Sequence, residues 1–196
     1  MEIPVYQYRT LLVGMLGYFV DMLDKHEIMY SASGGTLLGS VREKGFISHD
    51  YDCDLDIHPE SRTDFFALLA NIHVSPGLGL NVEYRLPEVV KISPVVSRSV
   101  CEVMQFNTDF PNPTIDCFLL LKNEDEEYEI EESRWPTWTY PKGELLPLRR
   151  IYFEDFSMWG PNSHNILDRY YGDWHTVKVD PWPALPYGNK GNCQST

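Results

Sequence analysis

The sequence predicts an α+β (or mixed α/β) domain, and three observations indicate it. Apolar residues recur with a helical period near the N-terminus and alternate with a period of two in several later runs. The predicted elements follow the order helix, strand, helix, strand, helix and then several strands. With 196 residues, of which 43% are hydrophobic and 13% aromatic, the chain suits one domain, 1–196, with a sizeable core.

The first half of the chain alternates helices with short strands. An apolar stripe that includes Leu12, Leu16, Phe19 and Leu23 marks the N-terminal helix as a core helix. A helix after Pro59 has Ser61 as its expected N-cap. The predicted elements are a helix over 5–28, a strand over 28–32, a helix over 36–43, a strand over 51–58 and a helix over 63–72.

The second half is richer in strands. Seven acids in 122–132 indicate an exposed loop or turn between strands, with metal binding as the lesser alternative. The segment 134–148 holds too many prolines for regular structure. Further predicted elements are strands over 80–86, 89–93, 101–107 and 114–121, and a helix over 163–171.

Charge and composition exclude several classes of protein. The net charge of −13 argues against binding to nucleic acid or to anionic membranes, so a phosphorylated substrate would need a local cation. The four cysteines have no disulfide or zinc spacing and are expected to be buried free thiols. The apolar run 10–20 is about half of the roughly 20 residues that span a bilayer, and it lacks the features of a signal peptide. We expect no transmembrane segment and a chain that is soluble as written, either cytoplasmic or lumenal (Golgi or secretory) if an anchor was removed.

A row of carboxylates in the strand over 51–58 is the most informative local feature. The stretch SHDYDCDLDIH carries acids at every second position: Asp50, Asp52, Asp54 and Asp56. A calcium-binding EF-hand loop that began at Asp50 would need Gly and Glu where Leu55 and Ser61 stand. The alternation therefore favours an extended strand with its acids on one face.

Two interpretations of this strand remain. An acidic outer face is one, although Asp is a poor strand former and no basic residue alternates with the acids. A site for Mg²⁺ or Mn²⁺ is the other, since Asp52 and Asp54 would direct both carboxylates to one side. Asp116, a lone acid in the apolar run TIDCFLL, could complete such a site, or could instead pair with an Arg or a backbone N–H.

The turn before the acidic strand suggests a phosphate-binding element. Gly34, Gly35 and Thr36 begin a helix, whose first N–H groups are suited to an anion. A glycine turn, an Asp-x-Asp strand and a distant strand Asp together match the logic of metal-dependent phosphoryl and nucleotidyl transfer.

These motifs resemble those of the LicD/fukutin family. The stretch GGTLLGSVREKGFISHDYDCDLDI is similar to the family's G-T-L-L-G-x-x-R and D-x-D-x-D pattern, TIDCFLL to its later strand Asp, and the segment 145–183 to its closing part. The resemblance implies a polymerase β-like nucleotidyltransferase fold with a mixed sheet flanked by helices. It places the catalytic motifs at 33–58 and 114–121. It also implies transfer of phosphocholine or ribitol phosphate from a CDP-linked alcohol donor to a glycan acceptor, with release of CMP.

Residue by residue, the resemblance assigns roles at the site. The predicted metal ligands, for Mg²⁺ or Mn²⁺, are Asp50, Asp52, Asp54 and Asp116. Of these, Asp52, Asp54 and Asp116 are the predicted catalytic residues, with Asp116 as a metal ligand or as the proton acceptor. The predicted phosphate-binding groups are Arg42, which matches the family's Arg, and, from the helix N-terminus and the local charge rather than from the resemblance, Gly34, Gly35, Thr36 and Lys44. We expect Asp56 to lie outside the group of ligands.

Other features of the sequence leave alternatives open. His49 stands where many family members have Trp, and we expect neither His49 nor His58 to bind metal. Five aromatic residues could stack on cytosine or sugar, or could only pack loops: Trp135, Trp138, Tyr140, Trp159 and Trp174. Two rival functions are a nucleotidyltransferase that releases pyrophosphate from a nucleoside triphosphate and a catalytically inactive glycan- or metal-binding module. The sequence does not indicate an oligomeric state.

Overall fold

The computed structural model describes residues 5–47, 50–72, 79–85, 89–95, 113–130 and 138–176. Four α-helices lie within this part of the chain: α1 (Val5–Lys25), α2 (Gly34–Arg42), α3 (Arg62–Asn71) and α4 (Asn165–Tyr171). The predicted helix 5–28 therefore ends three residues early, at Lys25, and Glu27 in the following turn has a positive φ of 54°.

The strands form a mixed sheet and a separate hairpin. Nine strands are described: β1 (Tyr30–Ala32), β2 (Asp52–Ile57), β3 (Gly79–Arg85), β4 (Val89–Val95), β5 (Thr114–Lys122), β6 (Tyr128–Ile130), β7 (Thr139–Tyr140), β8 (Arg149–Phe153) and β9 (Phe156–Gly160). The main sheet has the order β1-β2-β5-β4-β3; β6 joins it by pairing with β5, and β7 pairs in turn with β6. Strands β2 and β5 are parallel, whereas the other pairs are antiparallel. The predicted α+β class with a mixed sheet is confirmed.

The core lies between the sheet and the helices. The apolar stripe of α1 is buried, as its period predicts, with Leu12, Leu16 and Phe19 fully enclosed. Strand β5 is buried along most of its length because it lies in the middle of the sheet, between β2 and β4. This arrangement brings the polar side chains of β2 and β5 together at one place.

Three local predictions differ from the structure or lie outside it. Ser61 occupies the N-cap of α3, but its hydroxyl accepts a hydrogen bond from the Met29 N–H at 2.8 Å and does not cap the helix. Within 134–148, expected to be irregular, Thr139–Tyr140 forms a short strand because it can pair with β6. The predicted strand 101–107 lies outside the described residues.

The hairpin β8–β9 was not predicted, and it supports the segment that leads to β2. Its turn contains Glu154, whose N–H donates to the Lys44 carbonyl at 2.7 Å and whose carboxylate accepts the Phe46 N–H at 3.1 Å. A Cβ at Gly45 would overlap the Glu154 carboxylate, so a larger residue there would displace the acceptor of the Phe46 N–H. The hairpin thereby fixes the chain a few residues before the acidic strand.

Candidate active site and metal centre

Three carboxylates meet where β2 and β5 run side by side. In the parallel register, Asp54 is paired with Asp116, and Asp52 lies two residues earlier on the same face of β2. One carboxylate oxygen from each of Asp52, Asp54 and Asp116 can be chosen so that all three atoms lie within 4.8 Å of one another. The structure thus brings together the three predicted catalytic acids, and we call them the acidic cluster.

The glycine turn at the start of α2 holds the acidic cluster in place. The Gly35 N–H donates to Asp54 Oδ2 at 3.0 Å, and the Asp54 N–H donates to Thr36 Oγ1 at 2.8 Å. Gly34 has a φ of +48°, and a Cβ there would overlap the Asp54 carboxylate, whereas a Cβ on Gly35 would overlap that of Asp50. The predicted phosphate-binding turn therefore lies at the site, but the Gly35 N–H and the Thr36 hydroxyl already contact Asp54.

Burial and mutual repulsion raise the proton affinity of the cluster. Burial raises the pKa of Asp52 to about 7, with further contributions from the charges of Asp50 and Asp116. Burial also raises the pKa of Asp54 well above its ordinary value, with Asp52 and Asp50 adding to the effect. The pKa of Asp50 is likewise raised, mainly by burial. The ionised site is thus costly without a cation.

The residues present fit a divalent metal ion. All three donors are carboxylates, the ligand type that Mg²⁺ and Mn²⁺ prefer. Asp116 Oδ1 is buried and has no hydrogen-bond partner, which a coordinated cation would supply. Asp50 lies beside Asp52 but is not one of the three residues whose ligand atoms converge.

Lys91 also belongs to this site, and the sequence analysis missed it. It is the direct cross-strand partner of Asp116 on the antiparallel strand β4, and its ammonium donates to Asp116 Oδ2. The signal in the sequence was a single cation inside the apolar run VVKI. That pattern cannot reveal the partner, because the register between β4 and β5 is set by tertiary structure.

The two predicted phosphate-binding cations make their contacts elsewhere. The Arg42 guanidinium donates to the Glu43 carboxylate at 2.7 Å and to the Trp174 carbonyl at 3.1 Å. The Lys44 ammonium donates to the Val41 carbonyl at 3.3 Å. A role for either side chain in phosphate binding stays a prediction.

Asp56 has a different environment from the acidic cluster. Its Oδ2 accepts hydrogen bonds from the Tyr140 hydroxyl at 2.7 Å and from Trp138 Nε1 at 3.3 Å, and the residue is fully buried. Burial raises the pKa of Asp56 to about 6, although the three hydrogen-bond donors Tyr140, Ser33 and Trp138 oppose that shift. Asp56 lies outside the group of converging ligands, as the sequence predicted.

His58 continues this row of polar side chains into the core. Its Nε2 lies 3.4 Å from Ser31 Oγ, and the side chain is fully buried. Burial lowers the pKa of His58 to about 4, so the ring is neutral at pH 7. It is not among the converging ligands. His49, the other histidine considered, lies outside the described residues.

The candidate aromatic and cysteine residues are mostly accounted for by packing. Trp138 and Tyr140 are buried against Asp56 and so are not available to stack on a ligand. Trp159 lies under the Arg150 guanidinium, 4.0 Å from its ring centroid, and Trp174 stacks on His175 at 3.8 Å. The free thiols Cys53 and Cys117 are buried, as predicted. Trp135, Cys101 and Cys193 lie outside the described residues.

Comparison with protein families identifies the group to which this site belongs. The family described as LicD/FKTN/FKRP, nucleotidyltransferase domain, matches residues 27–163. These residues include β2 and β5, which carry the acidic cluster, and the hairpin β8–β9. The chain belongs to this family. The match confirms the resemblance seen in the sequence and, with the mixed sheet, the nucleotidyltransferase-like fold class.

Individual relatives extend this result. An uncharacterised protein of Caenorhabditis elegans is 38% identical over 162 residues, covering 74% of this chain and 41% of that protein. An uncharacterised protein of Rickettsia typhi is 28% identical over 160 residues, covering 81% of this chain and 45% of that protein. The lipopolysaccharide cholinephosphotransferase LicD of Haemophilus influenzae is 33% identical over 64 residues, covering 33% of this chain and 24% of LicD. The chain therefore spans less than half the length of these relatives.

Among solved structures, the lincomycin-bound lincosamide adenylyltransferase LnuA is 13% identical. The superposition covers 84% of this chain and 89% of LnuA. Its TM-score is 0.42, which is too low to establish a common fold. In the described part of the chain, no helix has both the length and the apolar character needed to cross a membrane.

Proposed function

We propose that this protein is a metal-dependent phosphotransferase that moves a phospho-alcohol from a CDP-linked donor to a glycan hydroxyl and releases CMP. The observation that carries the proposal is the convergence of Asp52, Asp54 and Asp116 within 4.8 Å, next to a glycine turn at a helix N-terminus. Family membership supports the reaction class, because one relative is named a cholinephosphotransferase. The transferred phospho-alcohol is phosphocholine, ribitol phosphate or a similar group.

In this proposal, Asp52, Asp54 and Asp116 hold Mg²⁺ or Mn²⁺, with Asp50 as a further or supporting ligand. When bound, the ion neutralises charge on the donor diphosphate and polarises the phosphorus that is attacked. The Gly35 N–H and Thr36 hydroxyl keep the Asp54 carboxylate oriented through the hydrogen bonds at 3.0 and 2.8 Å. Rigid support of this kind matters because catalysis here depends on positioning and charge more than on covalent chemistry.

The transfer step is a displacement at the phosphorus that bears the alcohol. A bond forms between the acceptor oxygen and the phosphorus that bears the alcohol, the bond from that phosphorus to the CMP oxygen breaks, and CMP leaves with the electron pair. The proton of the acceptor hydroxyl passes to a carboxylate oxygen of the acidic cluster, for which Asp116 is our candidate.

The test is a donor panel: CDP-choline, CDP-ribitol and CDP-glycerol, each with Mg²⁺ or Mn²⁺, scored for CMP with and without a glycan mixture as acceptor. We expect metal-dependent CMP release from at least one donor, lost in Asp52→Asn and retained in the matched control Asp125→Asn, an exposed turn acid. Pyrophosphate release from a nucleoside triphosphate would instead identify a nucleotidyltransferase. Failure with every donor, or full activity of Asp52→Asn, would contradict the proposal.

A further inference from the structure

Lys91 contributes a cation at the acidic cluster. Its ammonium contacts Asp116 Oδ2, whereas Asp116 Oδ1 is buried without a hydrogen-bond partner. The two oxygens of one carboxylate thus have different surroundings. A divalent cation among Asp52, Asp54 and Asp116 would have Oδ1 available to it, and it would then share the Asp116 carboxylate with the Lys91 ammonium.

Two cations on one carboxylate repel each other, and the more mobile one will move. Lys91 has a flexible four-carbon stem, and its side chain is 23% exposed, so it is not fully enclosed by the protein. A divalent ion held by three carboxylates is more firmly placed than a single ammonium. Repulsion therefore favours movement of Lys91 toward the nearest other anion.

The donor needs such a cation. A CDP-linked alcohol carries a diphosphate, and phosphate oxygens that are not on the metal require donors of their own. The hydrogen bonds of Arg42 go to Glu43 and Trp174 and that of Lys44 goes to Val41, none of which belongs to the acidic cluster. Lys91 is a cation that the structure places in direct contact with the acidic cluster.

We propose that Lys91 is a phosphate-binding residue. Its ammonium contacts Asp116 in the metal-free protein and moves to contact a phosphate oxygen of the donor once the metal is bound. This assignment rests on the proposed function for the identity of the donor. It requires only a metal-bound diphosphate, however, and can be tested with inorganic pyrophosphate as well as with CDP.

The experiment measures binding of CDP and of pyrophosphate by calorimetry, with saturating Mn²⁺, to wild type, Lys91→Met and Lys91→Arg. The control Lys142→Met removes an exposed lysine that pairs with Glu126. We expect Lys91→Met to weaken both ligands about 10- to 100-fold, the effect of losing one charge-assisted hydrogen bond. Lys91→Arg should stay within a few-fold of wild type, and Lys142→Met should not differ from it.

A second readout separates phosphate binding from a purely structural role. Mn²⁺ binding without nucleotide, followed by electron paramagnetic resonance, should be as tight or tighter in Lys91→Met, since a competing cation has been removed. If Lys91 only positions Asp116, Mn²⁺ binding will weaken instead, and that result overturns the proposal, as does unchanged CDP and pyrophosphate binding. If Lys91→Met does not fold, Lys91→Gln replaces it in the same comparison with Lys91→Arg.

The outcomes also distinguish this inference from the proposed function. Lys91-dependent pyrophosphate binding without CMP release from any donor would sustain the role of Lys91 and contradict the phosphotransferase assignment. If the protein releases CMP and Lys91→Met binds CDP and pyrophosphate as tightly as wild type, the phosphotransferase assignment is supported and the role of Lys91 is contradicted. If the Mn²⁺-loaded wild type binds neither CDP nor pyrophosphate, Lys91 has no phosphate to bind and the inference is wrong.

Discussion

The two ends of strand β2 carry acids of the same type and spacing in different surroundings. At one end, Asp52 and Asp54 are half-buried and face Asp116, so carboxylates face carboxylates. At the other end, Asp56 is fully buried and receives hydrogen bonds from Tyr140 and Trp138. Protein donors thus bind Asp56 Oδ2, although Asp56 Oδ1 is buried without a hydrogen-bond partner, whereas at the other end three carboxylates face one another and a cation would offset their repulsion. A regular pattern in sequence does not make its members equivalent, because the facing elements decide what each side chain does.

The largest effect should come from the end that needs a cation. We expect Asp54→Asn to reduce CMP release about 1,000-fold, because it weakens the charge that holds the metal and the donor. Its stability without metal should equal or exceed that of wild type, since one of several repelling carboxylates is gone. Steady-state kinetics and thermal unfolding measure the two effects. A variant that loses stability and activity together would indicate a structural role and remove the difference between the two ends.

The end of β2 at which Tyr140 and Trp138 donate to Asp56 should respond in the opposite way. Asp56→Ala leaves the buried donors of Tyr140 and Trp138 without an acceptor, and we expect a loss of about 3 to 4 kcal/mol in the free energy of unfolding. Asp56→Asn retains an acceptor oxygen and should lose less than half as much. Urea unfolding measures both losses. Equal stability of the two variants would show that these hydrogen bonds contribute little.

The buried histidine provides a test by pH. Burial lowers the pKa of His58 to about 4, from 6.5 in the unfolded chain, so the unfolded state binds more protons between these values. The contribution of His58 is therefore fully present above pH 6.5 and is lost as the pH falls toward 4, by up to about 3 kcal/mol.

The control for this effect is His58→Gln, which does not titrate. Asp56, whose folded pKa of about 6 is raised from 3.8, shifts stability in the opposite direction over part of this range. The difference in unfolding free energy between wild type and His58→Gln isolates the histidine, because the carboxylates titrate in both proteins. A difference that does not change between pH 7 and pH 4.5 would show that His58 is accessible to protons in the folded state.

The smallest predicted effect concerns the support of Asp54. Thr36→Val removes the hydroxyl that accepts the Asp54 N–H, and we expect a loss of about 1 to 2 kcal/mol in unfolding free energy. Thr36→Ser keeps the hydroxyl and should lie closer to wild type. Chemical denaturation measures the difference. If the valine and serine variants are equally stable, the hydrogen bond does not hold the strand.

The sequence predicted the acidic strand because its period of two is a local property of β2. It also predicted Asp116, since a lone carboxylate in an apolar run needs a partner. It missed Lys91, because only the register between β4 and β5 places that lysine opposite Asp116. The glycine turn was located correctly, but the contacts of Gly35 and Thr36 with Asp54 depend on how α2 meets β2.

Two other parts of the fold depended on tertiary contacts. Ser61 was expected to cap α3, but its hydroxyl accepts the Met29 N–H, from a segment 32 residues away. The hairpin β8–β9 was read only as a closing segment, although it anchors the chain at Lys44 and Phe46. The extent of the single domain over 1–196 stays a prediction, and the family match at 27–163 lies inside it.

The most direct test of the central claim is Mn²⁺ binding to wild type, Asp54→Asn and Asp56→Asn, followed by electron paramagnetic resonance at pH 8. The metal centre proposed here predicts saturable binding to wild type, at least about tenfold weaker binding to Asp54→Asn, and unchanged binding to Asp56→Asn. Equal affinity of wild type and Asp54→Asn for Mn²⁺ would contradict it.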